Sequence, residues 1–278
     1  MKFINIFSNR EIGVRNYLVT ENYGTGHVCN IGVILGMERI LVIDSGLGMG
    51  GNIRKYIEQF AGCSMPIFTM STHGGADCVG GIHLFDEAYL NQADWGMKDS
   101  FDLNKRIELL EQYCQGNRSI ADFGKLLATD NSKVALKNMK QGDHLHLGGV
   151  HVEVFELPGR TAGSCVIRVT REGVARTSFV GDAFHPCIND FSNMNKEELT
   201  AYAGRLRKLA DIMETEEPMY CTHDTRPMTR TTVIDVAEGI EQIASGYTDM
   251  DVSAGNGKKY HYHNNICVVY AEEEMACH

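Results

Sequence analysis

The sequence contains no run of five basic residues and no apolar stretch of about 18 residues, the length that a membrane-spanning helix needs. Its formal net charge of −10 argues against broad binding to a nucleic-acid backbone, which requires clustered Lys and Arg. The nine cysteines include no C-x-x-C pair, and the first residues contain no signal-peptide core. We therefore expect a cytoplasmic protein with reduced thiols that binds neither nucleic acid nor membrane.

What is present is a pattern of strands followed by helices, repeated twice along the chain. β-Branched segments bounded by Gly-containing turns predict strands at residues 13–20, 27–36, 39–44, 66–71, 143–157, 164–170, 174–180 and 218–221. Helical spacing of apolar residues predicts helices at residues 53–60, 196–213 and 232–244. This order favours an α/β protein, a four-layer αββα sandwich in which two sheets pack together between outer helices.

A polar, helix-prone stretch at residues 97–140 separates the two halves. Long inserted segments near a site often act as lids, and a purely structural helical pair is an equal alternative. If the stretch covers a site, the side chains expected to face a substrate are Phe101, Arg106, Tyr113 and Arg118. Because no Pro/Gly/Ser-rich linker divides the chain, residues 1–278 are predicted to form a single domain that contains this helical insertion.

Unusual loops follow several of the predicted strands. Residues 72–81 read T-H-G-G-A-D-C-V-G-G, and residues 157–164 read L-P-G-R-T-A-G-S. Two further segments are F-V-G-D-A at 179–183 and Y-C-T-H at 220–223, and an earlier strand ends as I-L-V-I-D-S-G at 40–46. Ligands in a two-sheet sandwich collect at the sheet edge where such loops meet, so we expect these segments to converge there.

Together, and in this order, the segments resemble those of the metallo-β-lactamase superfamily. The family's first metal loop usually reads T-H-x-H-x-D-H-x-G-G, so Gly75 and Cys78 stand where it has histidines. Arg160 stands where the family's L-P-G-H-T-P-G-S segment supplies another histidine. The positions that match the family pattern are His73, Asp77, Asp182 and His223. The resemblance implies the αββα sandwich of the metallo-β-lactamase type and, in most members, two adjacent metal sites.

The first of those two sites is strongly altered in this chain. Of the three histidines that the resemblance implies there, only His73 is present, because Gly75 has no side chain and Arg160 carries a positive charge. One imidazole beside a guanidinium is a poor site for a dication. We therefore expect the first metal site to be empty. Arg160 would enter the vacated space and pair with Asp182 or with the surroundings of His73.

The second site keeps a full set of usable ligands, namely Asp77, Cys78, Asp182 and His223. A thiolate, an imidazole and carboxylates suit Zn²⁺, and the thiolate would also tolerate iron. We therefore predict one divalent metal, Zn or Fe, at this position. The alternative is that Cys78 is a small buried residue filling the space of a lost ligand, and that no metal binds. From the residues alone, both interpretations stay open.

The leading hypothesis for function is a divergent hydrolase acting on a small, anionic ester, thioester, lactone or amide at this one-metal site. The residues proposed to carry catalysis are His73, Asp77, Arg160 and His223. Arg160 would bind an anionic group of the substrate or the developing oxyanion. One alternative is a metal-independent lyase, isomerase or Cys-dependent enzyme in which Arg160 replaces the first metal. Another is a non-catalytic metabolite-binding protein on a decayed enzyme scaffold.

Further polar residues near these motifs are weaker candidates. His185 could transfer a proton, and Asp224 could orient His223 through its other ring nitrogen. Five other histidines are expected to face solvent or neighbouring strands, and these are His144, His146, His151, His261 and His263. The expected partner is a small-molecule substrate. The sequence leaves open whether the protein also forms a homodimer.

Overall fold

The computed structural model of the chain describes residues 6–24, 26–62, 65–272 and 275. Two large β-sheets pack face to face between layers of helices, which is the predicted four-layer αββα sandwich. A small third sheet lies beside them. Our sequence predictions contain no strand after residue 244, so the strands of the third sheet beyond that point were missed.

The first sheet has seven strands in sequential order. They are β1 (Phe7–Gly13), β2 (Asn16–Asn22), β3 (Val28–Leu35), β4 (Ile40–Ile43), β5 (Ile67–Met70), β6 (Ala88–Leu90) and β7 (Leu136–Asn138). Strands β1 to β4 are antiparallel neighbours, whereas β4 to β7 run parallel to one another. All four residues of β4 are buried, as expected for a continuous apolar run covered on both faces.

The second and third sheets are formed by the later part of the chain. Their strands are β8 (His144–His146), β9 (Val150–Glu156), β10 (Cys165–Arg171), β11 (Thr177–Gly181), β12 (Ile188–Asp190), β13 (Met219–Cys221), β14 (Val252–Gly255), β15 (Lys258–His263) and β16 (Ile266–Ala271). The second sheet has the order β13-β11-β10-β9-β8, and the third has the order β12-β16-β15-β14. Parallel pairing of β11 with β13 brings the ends of both strands to the same edge.

The core between the two large sheets is formed by alternate residues of facing strands. Phe68 and Leu41 from the first sheet pack with Ile167 and Phe179 from the second. The sheets approach so closely that a Cβ atom on Gly32 would lie 2.5 Å from a ring carbon of Phe179. A larger residue at position 32 would therefore force the two layers apart.

Helices cover the outer faces of both large sheets. The helices are α1 (Ile53–Ala61), α2 (Ala76–Val79), α3 (Lys98–Phe101), α4 (Leu103–Cys114), α5 (Arg118–Leu127), α6 (Lys196–Ile212) and α7 (Arg230–Ala244). Ile53 and Ile57 of α1 pack on the first sheet, and α6 and α7 pack on the second. Asn195 begins α6 with a capping box, since its side chain accepts from Glu198 N at 2.9 Å and Glu198 reciprocates. Within the described residues, no helix is long and apolar enough to span a bilayer.

Helices α3 to α5 occupy the segment for which a helical insertion was predicted. Leu110 and Cys114 of α4 are buried against Leu47 and Met49, which follow β4. This packing places α4 beside the loop that follows β5. The extent of the single domain over residues 1–278 stays a prediction, because its ends lie outside the described residues.

Candidate active site

A cavity of about 610 Å³ opens at the edge where loops from both large sheets meet. Its walls come from the loops after β5, β9, β11 and β13 and from one side of α4. The ionisable and hydroxyl-bearing residues that line it include His73, Asp77, Tyr113, Arg160, Asp182, His185 and His223. The four residues proposed for catalysis thus share one cavity. Among the proposed metal ligands, Cys78 is fully buried behind the wall.

Asp44 holds the start of the loop after β5. It has a left-handed backbone conformation, with φ at 61°, immediately after the buried strand β4. Its carboxylate accepts hydrogen bonds from Thr72 N at 2.8 Å and from Thr72 Oγ1 at 3.0 Å. Burial raises the pKa of Asp44 to about 7, against the opposing effects of His73 and these hydrogen bonds. The two strand ends are thereby joined just before His73.

Gly75 and His73 share a space that has no room for a second side chain. A Cβ atom on residue 75 would lie 2.4 Å from His73 Nε2 and 3.0 Å from an Asp77 carboxylate oxygen. Helix α2 begins directly after Gly75 and carries Asp77 into the cavity wall. Any residue with a side chain at position 75 therefore requires His73 to move.

His223 and two carboxylates form the ionic centre of the cavity. His223 Nε2 lies 3.0 Å from Asp77 Oδ2 and 3.6 Å from Asp182 Oδ2. On the other side of the cluster, His73 Nε2 lies 3.7 Å from the same Asp182 oxygen. Asp182 Oδ1 is buried and has no hydrogen-bond partner among the described residues. Two imidazoles and two carboxylates therefore face one another with one carboxylate oxygen unsatisfied.

The ion pairs, rather than burial, decide the protonation of this cluster when no metal is bound. Burial acts to lower the pKa of His223, but its bonds to Asp182 and Asp77 outweigh that effect and raise the pKa to about 11. Burial likewise opposes ionisation of Asp182, yet its contact with His223 holds the pKa of that carboxyl below its usual value. The pKa of Asp77 is lowered in the same way. Without a metal, His223 is a cation between two anions.

The orientation of His223 is set by strand β3. Its Nδ1–H donates to the backbone carbonyl of Val28, with the two atoms 2.8 Å apart, and this leaves Nε2 directed at the carboxylates. Asp224, which we expected to orient His223, instead pairs with Arg226. The two residues are neighbours in the chain, but the Asp224 side chain points to its own turn. A backbone carbonyl, which no sequence motif marks, performs the orienting role.

Tyr113 is the contribution of the helical insertion to the site. Its hydroxyl donates to Asp77 Oδ2 at 2.6 Å, and its ring stacks on His27 with centroids 4.9 Å apart. Burial raises the pKa of Tyr113 well above its ordinary value, and Asp77 adds to the effect, so the hydroxyl remains a donor. The same helix contributes Leu109 to the cavity lining. The insertion therefore forms a wall of the site and contacts one of its carboxylates.

The other three insertion residues proposed to face a substrate do not lie in this cavity. Arg106 is fully buried, and its guanidinium donates to the carbonyls of Leu47 and Gly80, so it holds the helix to the loop. Phe101 packs in a separate apolar cluster. Arg118 lies at a surface groove beside α5. Polarity and helical propensity alone could not distinguish these positions from Tyr113.

Arg160 and His185 lie near the carboxylates but form no hydrogen bond with Asp182 among the described residues. Arg160 is exposed and lines the cavity, and it forms no ion pair with Asp182 in the described structure, which corrects the pairing expected from the sequence. His185 Nε2 lies 3.9 Å from Asp182 Oδ1, beyond hydrogen-bond distance. Burial lowers the pKa of His185, so its imidazole stays neutral at pH 7. The cavity thus has a cation at its mouth and a neutral base near its centre.

Asp94 was not identified from the sequence and connects two of the site loops. It is buried, and one carboxylate oxygen accepts from Gly74 N at 2.8 Å and from Thr161 Oγ1 at 2.6 Å. Its other oxygen accepts from Gly163 N at 2.7 Å. The loop that bears His73 and the loop that bears Arg160 are therefore held by one side chain. In sequence it is a single acidic residue in a polar turn, and nothing marks it.

Two buried thiols lie next to the ionic cluster. Potential ligand atoms of His73, Asp77 and Cys78 lie within 4.8 Å of one another, and so do those of Cys29, Asp77 and His223. Cys78 and His223 were predicted from the sequence to bind the same metal. In the structure, Cys78 belongs to the set of close ligand atoms with His73 and Asp77, and His223 belongs to the set with Cys29 and Asp77. Cys29 lies in β3, where a cysteine among β-branched residues has the appearance of a core residue. Only the tertiary structure reveals its position.

The five histidines expected to lie outside the site are away from the cavity. His144, His146 and His151 are exposed on the edge strands β8 and β9, as expected. His261 is buried between Asp251 and Gln242, and His263 pairs with Glu238 on α7. None of these five residues belongs to the site.

The chain is similar to known proteins in sequence and in fold, while no family model matches it. The acyl-coenzyme A thioesterase MBLAC2 of Bos taurus is 24% identical over 231 residues, which cover 77% of this chain and 79% of that protein. The Homo sapiens protein of the same name is 21% identical over the same shares of both chains.

Solved structures with a similar fold include bacterial metallo-β-lactamases. A Cronobacter sakazakii enzyme with a HARLDQ motif has a TM-score of 0.58 and 14% identity, covering 88% of this chain and 95% of that one. A subclass B3 enzyme of Bradyrhizobium japonicum has a TM-score of 0.57 and 13% identity over the same shares. Identities this low bear on the fold alone. They confirm the resemblance seen in the sequence, and the chain has the metallo-β-lactamase fold, with altered residues at its site.

Proposed function

We propose that the protein is a hydrolase of thioester-like small molecules that acts at a single divalent metal, zinc or iron. The observation that carries the proposal is the buried, unpartnered Asp182 Oδ1 beside Asp77 and His223 at the floor of the cavity. Buried carboxylate oxygens without a partner are rare, and a cation would satisfy this one. The similarity to acyl-coenzyme A thioesterases supports a thioester among the substrates considered.

The donor set suits one metal and does not suit two. Asp77 and His223 offer a carboxylate and an imidazole close to the thiol of Cys29, a mixed set suited to zinc, and Asp182 adds a second carboxylate 3.6 Å from His223 Nε2. On the other side, His73 has neither a second histidine nor room for one, because Gly75 abuts its imidazole. A divalent metal held by Asp77, Asp182 and His223 would supply Lewis acidity towards water and a substrate carbonyl.

The chain's own residues have distinct roles in this proposal. Asp77, Asp182 and His223 hold the metal, and the Tyr113 hydroxyl fixes Asp77 through its hydrogen bond. His185 is neutral and accepts a proton from the attacking water, and that proton leaves with the thiol product. Water and the thioester thus give a thiol and a carboxylic acid, which ionises to a carboxylate by releasing its proton to solvent.

The substrate would be held by the mouth of the same cavity. Arg160 is exposed at the lining and can pair with an anionic group of the substrate or with the developing oxyanion. Leu109, Ile188 and Phe191 provide apolar surface for an acyl chain. The cavity thus combines a cationic contact with an apolar wall.

The test combines metal analysis with a substrate panel. Protein purified without chelator is expected to hold about one equivalent of metal and to release thiol from acyl thioesters faster than it hydrolyses matched esters, lactones or amides. Asp182→Asn should lower both metal content and turnover, with turnover falling about 100-fold or more, while Asp211→Asn, on the exposed face of α6, changes neither. Chelation should abolish turnover, and added zinc should restore it.

One observation favours a second candidate, a metal-independent enzyme or a metabolite-binding protein. His223 already neutralises part of the charge of Asp77 and Asp182 through direct ion pairs. Metal-free protein with turnover that survives chelation would select the enzyme, of which a lyase, an isomerase or a Cys-dependent reaction are the classes considered. Metal-free protein that binds a metabolite without turnover would select the binding protein.

A further inference from the structure

The first residues of β3 form several hydrogen bonds with the loop that carries His223. Val28 accepts the Nδ1–H hydrogen bond of His223, and Asn30 N donates to the carbonyl of Thr222 at 2.8 Å. The Asn30 side chain donates to the carbonyls of Cys221 and Asp224, each at 2.9 Å. Because backbone and side-chain bonds act together, His223 Nε2 has a defined position relative to this strand.

Cys29 lies between Val28 and Asn30, the two residues that form these hydrogen bonds. Its thiol sulfur lies within 4.8 Å of a ligand atom of Asp77 and of one of His223. His223 Nε2 and Asp77 Oδ2 are 3.0 Å apart. Cys29 is fully buried, so no solvent competes for this position. A sulfur, a carboxylate oxygen and an imidazole nitrogen therefore surround one small volume, with donor types that suit tetrahedral zinc.

An independent observation next to this volume points to a cation. Asp182 Oδ2 lies 3.6 Å from His223 Nε2, and Asp182 Oδ1 is buried with no hydrogen-bond partner among the described residues. Asp182 lies outside the group of three donors formed by Cys29, Asp77 and His223, and it adjoins that group through His223. Three protein donors of the required kinds are thus present without any contribution from Cys78, and Asp182 stands beside them.

Cys78 is less well placed for this role, although it stands at the family's ligand position. Its sulfur lies within 4.8 Å of ligand atoms of His73 and Asp77, in a set that does not include His223. It also lies 3.6 Å from Thr222 Oγ1. Charge also favours a single thiolate. Two carboxylates and one thiolate already exceed the charge of a divalent metal, and a second buried thiolate would add an uncompensated charge.

We propose that Cys29 supplies the thiolate ligand of the metal held by Asp77, Asp182 and His223, while Cys78 remains a neutral thiol. This inference rests on the proposed function only in requiring a metal at that site. On binding, the S–H bond of Cys29 breaks, a sulfur–metal bond forms, and the proton passes to the buffer. No oxidation or reduction takes place.

Cobalt substitution tests the assignment without measuring activity. Cobalt bound to a thiolate has a sulfur-to-metal charge-transfer absorption in the near ultraviolet, which carboxylate and imidazole ligands do not produce. Wild-type protein loaded with Co²⁺ should show this absorption, and Cys29→Ser should lose it. Its Co²⁺ affinity should also fall by at least about ten-fold, since loss of an outer-shell partner alone can cost that much. Cys78→Ser and Cys267→Ser, a buried thiol in the third sheet, should keep the absorption.

The possible failures separate the ligand assignment from the proposed function. Absorption that persists in Cys29→Ser or disappears in Cys78→Ser overturns the assignment, even if thioesters are hydrolysed. Cobalt that binds without the thiolate absorption overturns the assignment and leaves a one-metal hydrolase intact. Failure of wild-type protein to bind cobalt overturns both proposals. If Cys29→Ser does not fold, the Cys78→Ser variant alone decides between the two cysteines. Absorption that is retained in Cys78→Ser must come from a thiolate other than Cys78.

Discussion

The pair formed by Gly75 and His73 shows how a missing side chain reshapes the site. The family pattern has a histidine at position 75, and here the imidazole of His73 fills the space next to that backbone. The backbone at Gly75 is not in a left-handed conformation, so a substitution would be resisted by contact with His73 rather than by backbone strain. The absence of a side chain at position 75 and the position of His73 therefore depend on each other.

Gly75→Ala should therefore destabilise the protein. The new methyl group would press on His73 Nε2, and overpacking of this kind costs about 1–3 kcal/mol. Gly96→Ala is the matched control, because nothing lies within 4 Å of its new Cβ, and its effect should stay within about 0.5 kcal/mol. Urea unfolding of both variants measures the difference. Equal effects at the two positions would contradict the packing described for Gly75.

The raised pKa of His223 predicts a pH dependence of stability for chelated protein. A histidine whose folded pKa is raised from 6.5 to about 11 contributes stability that is fully present below pH 6.5. That contribution is lost progressively as the pH rises from 6.5 towards 11, because the unfolded state has then released the proton that the folded state still holds, and rising pH favours the state with fewer protons. Wild-type protein should lose more stability between pH 7 and pH 11 than His223→Gln does.

Denaturant unfolding at several pH values, always with chelator, gives this comparison. Tyrosine, lysine and cysteine residues also titrate in the range, but they are common to both proteins and cancel in the difference. Parallel pH profiles for the wild type and His223→Gln would show that His223 is not the charged partner of Asp77 and Asp182.

Helix α4 is coupled to the site through one short hydrogen bond. The Tyr113 hydroxyl donates to Asp77, and the ring of Tyr113 stacks on His27. Leu110 and Cys114 of the same helix are buried, so the helix is packed in place independently of that bond. The helix is therefore packed as a structural element and also lines the cavity, while the lid considered from the sequence stays a prediction.

Tyr113→Phe separates these two roles. The variant keeps the ring and its packing but removes a hydrogen bond to a charged group, worth about 1.5–3 kcal/mol. We expect a loss of stability in that range and weaker metal binding, because Asp77 loses its orienting partner. Tyr56→Phe, whose hydroxyl accepts a bond from exposed Asn9, is the control and should change neither quantity. Unchanged metal affinity in Tyr113→Phe would limit the tyrosine to a packing role.

The two halves of the chain share one core, and this has consequences for unfolding. Residues from both large sheets form the apolar layer between them, so neither sheet can keep its core without the other. The single tryptophan, Trp95, precedes the insertion, and its indole N–H donates to Leu90 O at the end of β6. Its fluorescence therefore reports on the junction between the insertion and the first sheet.

We predict that the whole molecule unfolds in one cooperative transition. Trp95 fluorescence and far-ultraviolet circular dichroism should give the same midpoint in urea, as two-state unfolding requires. An earlier fluorescence transition would show that the insertion unfolds separately, and two steps in circular dichroism would show that the halves are independent units. Either result would contradict the single-domain prediction.

By itself, the sequence determined the layers and the loops. Alternation and apolar runs placed β3, β4, β5, β10, α1 and α6 within a few residues, because these patterns reflect burial on one face or on both. The weaker patterns of β1 and of the short strands in the third sheet were missed, since their pairing depends on partners elsewhere. The motif segments likewise predicted which loops meet, because each follows a strand.

Only the tertiary structure decided which side chains meet inside the site. Tyr113 reaches Asp77 across 36 positions, and His223 reaches the Val28 carbonyl across 195. Such contacts depend on how strands and helices pack, and no local period encodes them. For the same reason Cys29 has the appearance of a core cysteine in the sequence, whereas in the fold its sulfur faces Asp77 and His223.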